Sequence, residues 1–288
     1  MSGLLDPRTI RALAADLDLR PTKQRGQNFV HDPNTVRRIV ALSGVGPDDV
    51  VVEVGPGLGS LTLGLLETGA QVTAIEIEPS LARRLPLTVA ERMPEASDRL
   101  RVVESDALAV TALPGPAPTA VVANLPYNVS VPVLVHLLST FDTWRTGLVM
   151  VQLEVADRLV SAPGSKVYGV PSRKMAWFAA ATRVGTVPSA VFWPVPNVES
   201  GLVRIVRRDP PGVVGPGGAP VSRHATFTVI DAAFQQRRKM LRSSLSGLFG
   251  GSAAASAAIE AVGIDPQVRG EVLSVGDFAR IAAQLPAD

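Results

Sequence analysis

The sequence predicts an α/β fold, a parallel sheet covered on both faces by helices, with a second, smaller all-helical domain after it. Three observations predict this. Short β-branched runs alternate with amphipathic runs of helical period as far as Gln152, the pattern of linked βαβ units. Glu53, Glu76, Asp106 and Asn124 fall at the ends of those runs, where a parallel sheet displays its functional side chains. From Ser222 on, the pattern is helical throughout, in pieces broken at 247–251, 263–266 and Gly276.

The elements follow in order. Asp6 to Leu19 places Ile10, Leu13 and Leu17 on one face of a short helix. Pro21 to Phe29 is an irregular basic segment. Asp32 before Pro33 is an N-cap with proline at the first helical position; that helix runs to about Ser43, where Gly44 and Gly46 stop it. Val50–Val54, Val72–Ile75, Leu100–Val103, Thr119–Ala123 and Gly147–Gln152 read as strands, with helices at Leu58–Glu67, Pro79–Arg92 and Val131–Leu138. Thr111 to Pro118 is a proline-rich loop.

After Leu153–Val160 comes a loop from Pro163 to Gly169, then a helix through Trp177 and Phe178, then strands at Arg183–Val187 and Val198–Val206. Between those strands lies Phe192-Trp193-Pro194-Val195-Pro196, a stiff loop able to present a ring. Arg207 to Pro220 is rich in proline and glycine and is the candidate linker. The expected division is therefore a domain at 1–206, a linker at 207–220 and a helical domain at 221–288.

Composition narrows the function classes. Hydrophobic residues are 46% and charged residues 19% of the 288, so most of the chain is expected to fold. The net charge is only +2, which makes the placement of charge matter more than its total. With no cysteine there is no disulfide, thiolate metal site or cysteine nucleophile. His31, His136 and His224 lie too far apart to form a ligand pattern, and no metal is expected. His136, Trp177, Met150 and Met175 read as packing residues. Met1 to Asp18 has no signal-peptide core, and no apolar run is long enough to span a bilayer. The expectation is a cytoplasmic protein without membrane contact.

The organising stretch is Val50 to Gly59. A β-branched run enters Glu53, and Gly55, Gly57 and Gly59 follow on alternate positions. Glycine there permits positive φ and lets a ligand approach the backbone. Glu76 ends the next strand, roughly 20 residues on, where a βαβ unit grips a nucleotide ribose. The motif is G-x-G-x-G rather than the G-x-G-x-x-G of pyrophosphate binders. Pyrophosphate prefers bare helix N–H groups, whereas Glu53 suits a ligand that carries positive charge. S-adenosylmethionine has a ribose, an ammonium and a sulfonium. A glycine-rich turn in some other α/β protein is the bland alternative.

Asn124-Leu125-Pro126-Tyr127 carries the chemistry. The lone pair of adenine N6 is delocalised into the ring, so the nitrogen is a poor nucleophile. The Asn124 carboxamide oxygen and the Leu125 carbonyl can both accept hydrogen bonds from it, steering it toward tetrahedral geometry. Pro126 fixes the turn and brings no competing N–H. Tyr127 can stack on the base, worth roughly 1–3 kcal/mol, and Phe192 is expected to supply the second stacking face. A base presented this way has left any helical stack. Asn-x-Pro is also a common turn sequence, and a capping Asn124 beside a core Tyr127 is the alternative.

Together these motifs resemble the ribosomal RNA adenine N6-dimethyltransferase family, and within it the small-subunit (16S) type. The likeness spans almost the whole chain, from Gly26–Val30 through Glu53–Gly59, Glu76, Asp106, Asn124–Tyr127, Pro163–Gly169 and Phe192–Ser200 to Phe234–Lys239. It implies a Rossmann-like S-adenosylmethionine-dependent methyltransferase sheet of seven strands, the last antiparallel; Val198–Val206 fits that strand. It also implies that Asn28 and Val30 lie against the methionine end of the cofactor. The Gly55 loop cradles it, Glu76 holds its ribose, Asp106 meets its adenine, and Asn124 faces both cofactor and target.

The implied reaction is dimethylation of two adjacent adenosines near the 3′ end of 16S rRNA in the small (30S) subunit or its precursor, by a chain expected to act as a monomer. Arg237, Arg238, Lys239 and Arg242 form the densest basic cluster, expected on a helix of the second domain and aimed at rRNA phosphates; a solvated helix face is the alternative. The Lys23–Arg25 segment could close over the cofactor or touch RNA. The rival enzyme is the related large-subunit (23S) rRNA dimethyltransferase. The rival from another class is a non-catalytic rRNA-binding assembly factor.

Overall fold

The computed structural model describes residues 3–19, 28–126, 129–215 and 218–286. The chain forms two compact units. One holds the residues up to Ala156 together with Ala181–Arg207; the other holds Asp157–Ala180 and the chain from Arg208 on.

In the first unit, α1 (Pro7–Asp16) is capped by Asp6, whose carboxylate accepts from the Thr9 N–H at 2.7 Å. A short strand, β1 (Phe29–Val30), precedes α2 (Pro33–Ser43). Asp32 caps α2 through the Thr35 N–H at 2.9 Å, and Gly44 ends it in the left-handed region at φ +71°. Then follow β2 (Val50–Val54), α3 (Ser60–Glu67), β3 (Gln71–Glu76), α4 (Pro79–Arg92), β4 (Leu100–Glu104), β5 (Ala120–Asn124), α5 (Ser130–Thr140), β6 (Thr146–Gln152) and α6 (Leu153–Val160), which from Asp157 on belongs to the second unit. The unit ends with β7 (Ala179–Val187), β8 (Phe192–Trp193) and β9 (Ser200–Arg207).

The main sheet has seven strands in the order β4-β3-β2-β5-β6-β9-β7. The five from β4 to β6 run parallel, and β9 is antiparallel to β6, with Thr146 opposite Val206 and Gln152 opposite Ser200. All five residues of β2 are buried, as a central strand covered on both faces requires. Helix α3 is apolar almost all round and correspondingly buried from Ser60 to Leu66.

The second unit contains α7 (Val170–Phe178), α8 (Arg223–Gln235), α9 (Leu241–Ser244), α10 (Ser246–Phe249), α11 (Ser252–Ala261) and α12 (Val275–Ala282). Its core gathers Val229, Ile230, Leu241, Leu245, Ile259, Phe278 and Ile281. Ser274 and Asp277 make a capping box that starts α12.

Three features differ from the sequence reading. The unbroken domain 1–206 is not observed, because Asp157–Ala180 joins the C-terminal helices. Its aromatics are the reason: Trp177 and Phe178 meet Phe227 edge-on, with centroids 6.2 and 6.1 Å away. The expected linker is anchored at its start, since Arg208 donates to the carbonyls of Ala176 and Phe178. The basic run 237–239 lies on a turn rather than a helix, α8 having ended at Gln235. Met150, Met175 and Trp177 are buried, and His136 Nε2 bonds the Val110 carbonyl at 2.8 Å.

Candidate active site

Strand order reverses at β2, with β3 on one side and β5 on the other. The carboxyl ends of strands diverge at such a point and leave a crevice. A cavity of about 420 Å³ lies there, lined by Asn28, Val30, Glu53, Gly55, Gly57, Glu76, Asp106 and Asn124 among others. These are the eight positions expected to bind cofactor, brought together from five separate parts of the first unit.

The glycine turn shapes the floor. Gly55, Gly57 and Gly59 all have positive φ, +67°, +58° and +99°. At Gly57 a Cβ would stand 2.7 Å from Phe29 Cε1, so the turn can close under Phe29 only without a side chain. The Gly57 N–H is aimed at Glu76, donating to Oε2 at 3.1 Å, while the Glu78 N–H donates to Oε1 at 3.0 Å. Glu76 is thereby fixed at the end of β3.

Glu53 is buried at the end of β2 and accepts from Thr62 Oγ1 at 2.6 Å. Burial, opposed by the Thr62 bond and reinforced by the Glu76 charge, pushes its pKa from 4.5 to about 8. Burial also raises Glu76, against its backbone N–H bonds. Asp106 is exposed at the rim, where Oδ1 accepts from the Leu108 N–H at 2.9 Å.

Asn124 ends β5. Its Nδ2 donates to the Asn28 carbonyl at 3.1 Å, which commits the amide's donor side and leaves Oδ1 as an acceptor. Leu125 is buried beneath, with its N–H on the Met150 carbonyl at 3.0 Å. Pro126 lines the cavity. Tyr127 and the segment from Pro21 to Gln27 lie outside the described residues.

Phe192 corrects the sequence reading. Its loop is not free: β8 pairs with β1, Val30 opposite Phe192 and Phe29 opposite Trp193. That pairing turns the Phe192 ring into the core, 0% exposed and away from the cavity lining, so it offers no face to a base in this conformation. Trp193, half-buried, stacks on Phe29 instead, with centroids 6.4 Å apart. Of the basic cluster, Arg237, Arg238 and Lys239 are exposed on the second unit; Arg242 is half-buried, its Nη2 on Met240 Sδ at 3.7 Å.

Sequence reasoning missed several lining residues, and four of them shape the site. Ile77, next to Glu76, and Leu108, two residues after Asp106, add apolar walls beside the acids; they are 66% and 39% exposed. An apolar residue straight after the second-strand acid was a signal for Ile77; nothing local marked Leu108. Phe29 covers Gly57. Ser60 opens α3 with its Oγ buried and without a hydrogen-bond partner among the described residues.

The donor set fits the expected cofactor. Glu53, Glu76, Glu78 and Asp106 line the cavity, and among the described residues no basic side chain does. Such a pocket repels pyrophosphate and attracts a ligand with ammonium and sulfonium charges. The orphaned Ser60 Oγ at a helix start adds a polar anchor that a ligand would satisfy. Among the described residues no group of His, Asp and Glu has a metal-binding arrangement, and no helix is long and apolar enough to cross a membrane.

A family profile described as ribosomal RNA adenine dimethylase matches residues 19–286. Ribosomal RNA small subunit methyltransferase A of Cutibacterium acnes is 66% identical over 284 residues, 99% of this chain and 95% of that protein. The protein of the same name from Streptomyces coelicolor is 61% identical over 280 residues, 97% and 96% of the two chains. Among solved structures, a dimethyladenosine transferase from Plasmodium falciparum shares the fold, with a TM-score of 0.72 at 20% identity over 88% of this chain and 95% of that one. The 23S rRNA methyltransferase ErmE gives a TM-score of 0.60 at 25% identity over 89% and 99%.

Proposed function

The chain belongs to the ribosomal RNA adenine dimethylase family, and on that premise we propose that it dimethylates N6 of two adjacent adenosines near the 3′ end of 16S rRNA. The substrate is the small ribosomal subunit or its precursor in the cytoplasm. The 57–66% identity to proteins named for the small subunit favours this over the large subunit. One observation carries the chemistry: the Asn124 amide, its donor side held by the Asn28 carbonyl, keeps Oδ1 as an acceptor on a cavity lined by carboxylates.

S-adenosylmethionine supplies an electrophilic methyl group when bound. Glu76, held by two backbone N–H groups, takes the ribose hydroxyls. Glu53 balances the positive methionine end near Asn28 and Val30, and Asp106 accepts from the adenine amino group at the rim between Ile77 and Leu108. Asn124 Oδ1 and the Leu125 carbonyl accept from the target N6, Pro126 shapes the turn, and Tyr127 stacks on the base. No residue need act as a strong base, because positioning for in-line attack supplies most of the rate. The N6 proton departs to solvent after transfer.

Gly57→Ala is expected to weaken cofactor binding about tenfold. A Cβ at φ +58° costs roughly 1–2 kcal/mol, and it drives Phe29 off the floor of the site. Calorimetric titration checks this, and unchanged affinity would show that the turn does not contact the cofactor.

The function is tested by methyl transfer from labelled cofactor to small subunits that lack the modification, followed by nucleoside mass spectrometry. Dimethyladenosine from an adjacent pair near the 3′ end is the expected product. Incorporation only into large subunits would transfer the assignment there. Subunit binding without cofactor binding would leave an assembly factor.

A further inference from the structure

The second unit is built around a charge. Arg173, on α7, is 0% exposed. Its guanidinium carbon lies 3.4 Å from the Tyr168 ring centroid, 4.1 Å from that of Phe234 and 5.5 Å from that of Phe278. Nη2 donates to the Gly270 carbonyl at 2.8 Å, while Nε and Nη1 have no hydrogen-bond partner among the described residues. Burial lowers its pKa to about 9, so the group stays cationic at neutral pH. A buried cation held by ring faces and one carbonyl is costly compared with an apolar side chain of similar size. What it does, and Leu or Met would not, is tie three separate segments to one point.

Each of those segments leads to an exposed base. Tyr168 closes the loop that carries Lys166, Phe234 sits just before Arg237–Lys239, and Gly270 follows Arg269. The segments are also stitched to each other. Arg237 Nη2 donates to the Lys166 carbonyl at 2.7 Å, and its Nε faces the Glu271 carboxylate at 3.4 Å. The Gly164 N–H donates to the Glu271 carbonyl at 2.8 Å, and Tyr168 Oη to the Leu273 carbonyl at 3.1 Å. Arg237 is thus taken up by the frame, and Glu271, the acid of the cluster, is engaged by it. Lys166, Arg238, Lys239 and Arg269 remain exposed around that frame.

We propose that Arg173 is the positioning residue of the second unit's basic face: it holds in register the three segments that carry Lys166, Arg238, Lys239 and Arg269, and so keeps these bases on one surface for RNA phosphates. The proposal rests on the rRNA reading above and extends it. Two of the four bases, Lys166 and Arg269, come from outside the dense basic run.

The test uses the full chain and unmethylated small subunits, with binding measured across a salt series and cofactor affinity measured alongside. Lys166→Gln and Arg269→Gln are each expected to reduce the slope of log K against log salt by one phosphate contact, about 0.7–0.9, and to leave cofactor affinity unchanged. Both positions are exposed, so these variants fold whatever Arg173 contributes. Arg173→Met is expected to raise KM for subunits about tenfold at unchanged kcat, and Arg173→Lys, which keeps a cation between the rings, to recover most of that. Native slopes in the Lys166 and Arg269 variants, with a reduced slope in Arg238→Gln, would overturn the composite surface and leave the rRNA reading standing. A native slope in Arg238→Gln and Lys239→Gln as well would place the failure in the rRNA reading of the basic run. Native KM in Arg173→Met would remove the positioning role.

Discussion

Asn124→Ala is expected to slow methyl transfer by about 100- to 1,000-fold, with less than about tenfold change in cofactor affinity. The asymmetry follows from where the side chain acts. The cofactor is also held by Glu53, Glu76, Asp106 and the glycine turn, all of which stay in place. The target N6 has only two acceptors in this reading, Asn124 Oδ1 and the Leu125 carbonyl, and with one gone its lone pair stays delocalised into the ring. The Nδ2 bond to Asn28, 3.1 Å long, makes the group specific. Asn124→Asp would set a carboxylate oxygen against the Asn28 carbonyl and is expected to lose as much. Asn124 is half-buried, so neither change opens a core cavity. Single-turnover rates with saturating cofactor check this; a rate within a few-fold of the native enzyme in Asn124→Ala would sink the assigned role.

The sheet was legible because its signals are local. Val50–Val54 and Pro79–Arg92 fall on the expected bounds, and α2 starts and stops at Asp32 and Gly44 as their capping chemistry dictates. The acids at strand ends were legible for the same reason, since a parallel topology turns chain position into place in the site. The misses are long-range. Nothing around Phe192 announces that it will pair with Val30 and turn inward, because a two-residue strand carries no period. Nothing in Val170–Phe178 says whether its aromatics face the sheet or the C-terminal helices; Phe227, some fifty residues on, decides it. The proline- and glycine-rich run after Arg207 looked like a boundary on composition. Composition cannot see that Arg208 is bound to two carbonyls.

Glu53→Gln is expected to remove the fall of stability with pH in the cofactor-free protein and to remove the pH dependence of cofactor binding. Desolvation, with a smaller push from the Glu76 charge, raises the folded pKa to about 8 against 4.5 for the ordinary carboxyl. Between those values the folded state holds a proton that the unfolded state has released. Native stability therefore falls as pH rises from 4.5 to about 8 and levels off above it. The glutamine isostere keeps a partner for Thr62 and has nothing to ionise. It should match the native protein near pH 5 and exceed it near pH 8 by a few kcal/mol. Cofactor binding runs the other way. A cationic ligand recruits the carboxylate, so it releases a proton on binding, and native affinity climbs with pH until about 8. In Glu53→Gln affinity is weak and flat across that range. Thermal melts and calorimetric titrations at pH 5, 6.5 and 8 read both curves. Parallel melts for the two proteins would mean that Glu53 is already ionised in the empty site. A native affinity that did not rise with pH would mean that its charge does not face the cofactor. The buried acid is thus a cost the fold carries until the ligand arrives, the arrangement expected of a residue kept for binding rather than for packing.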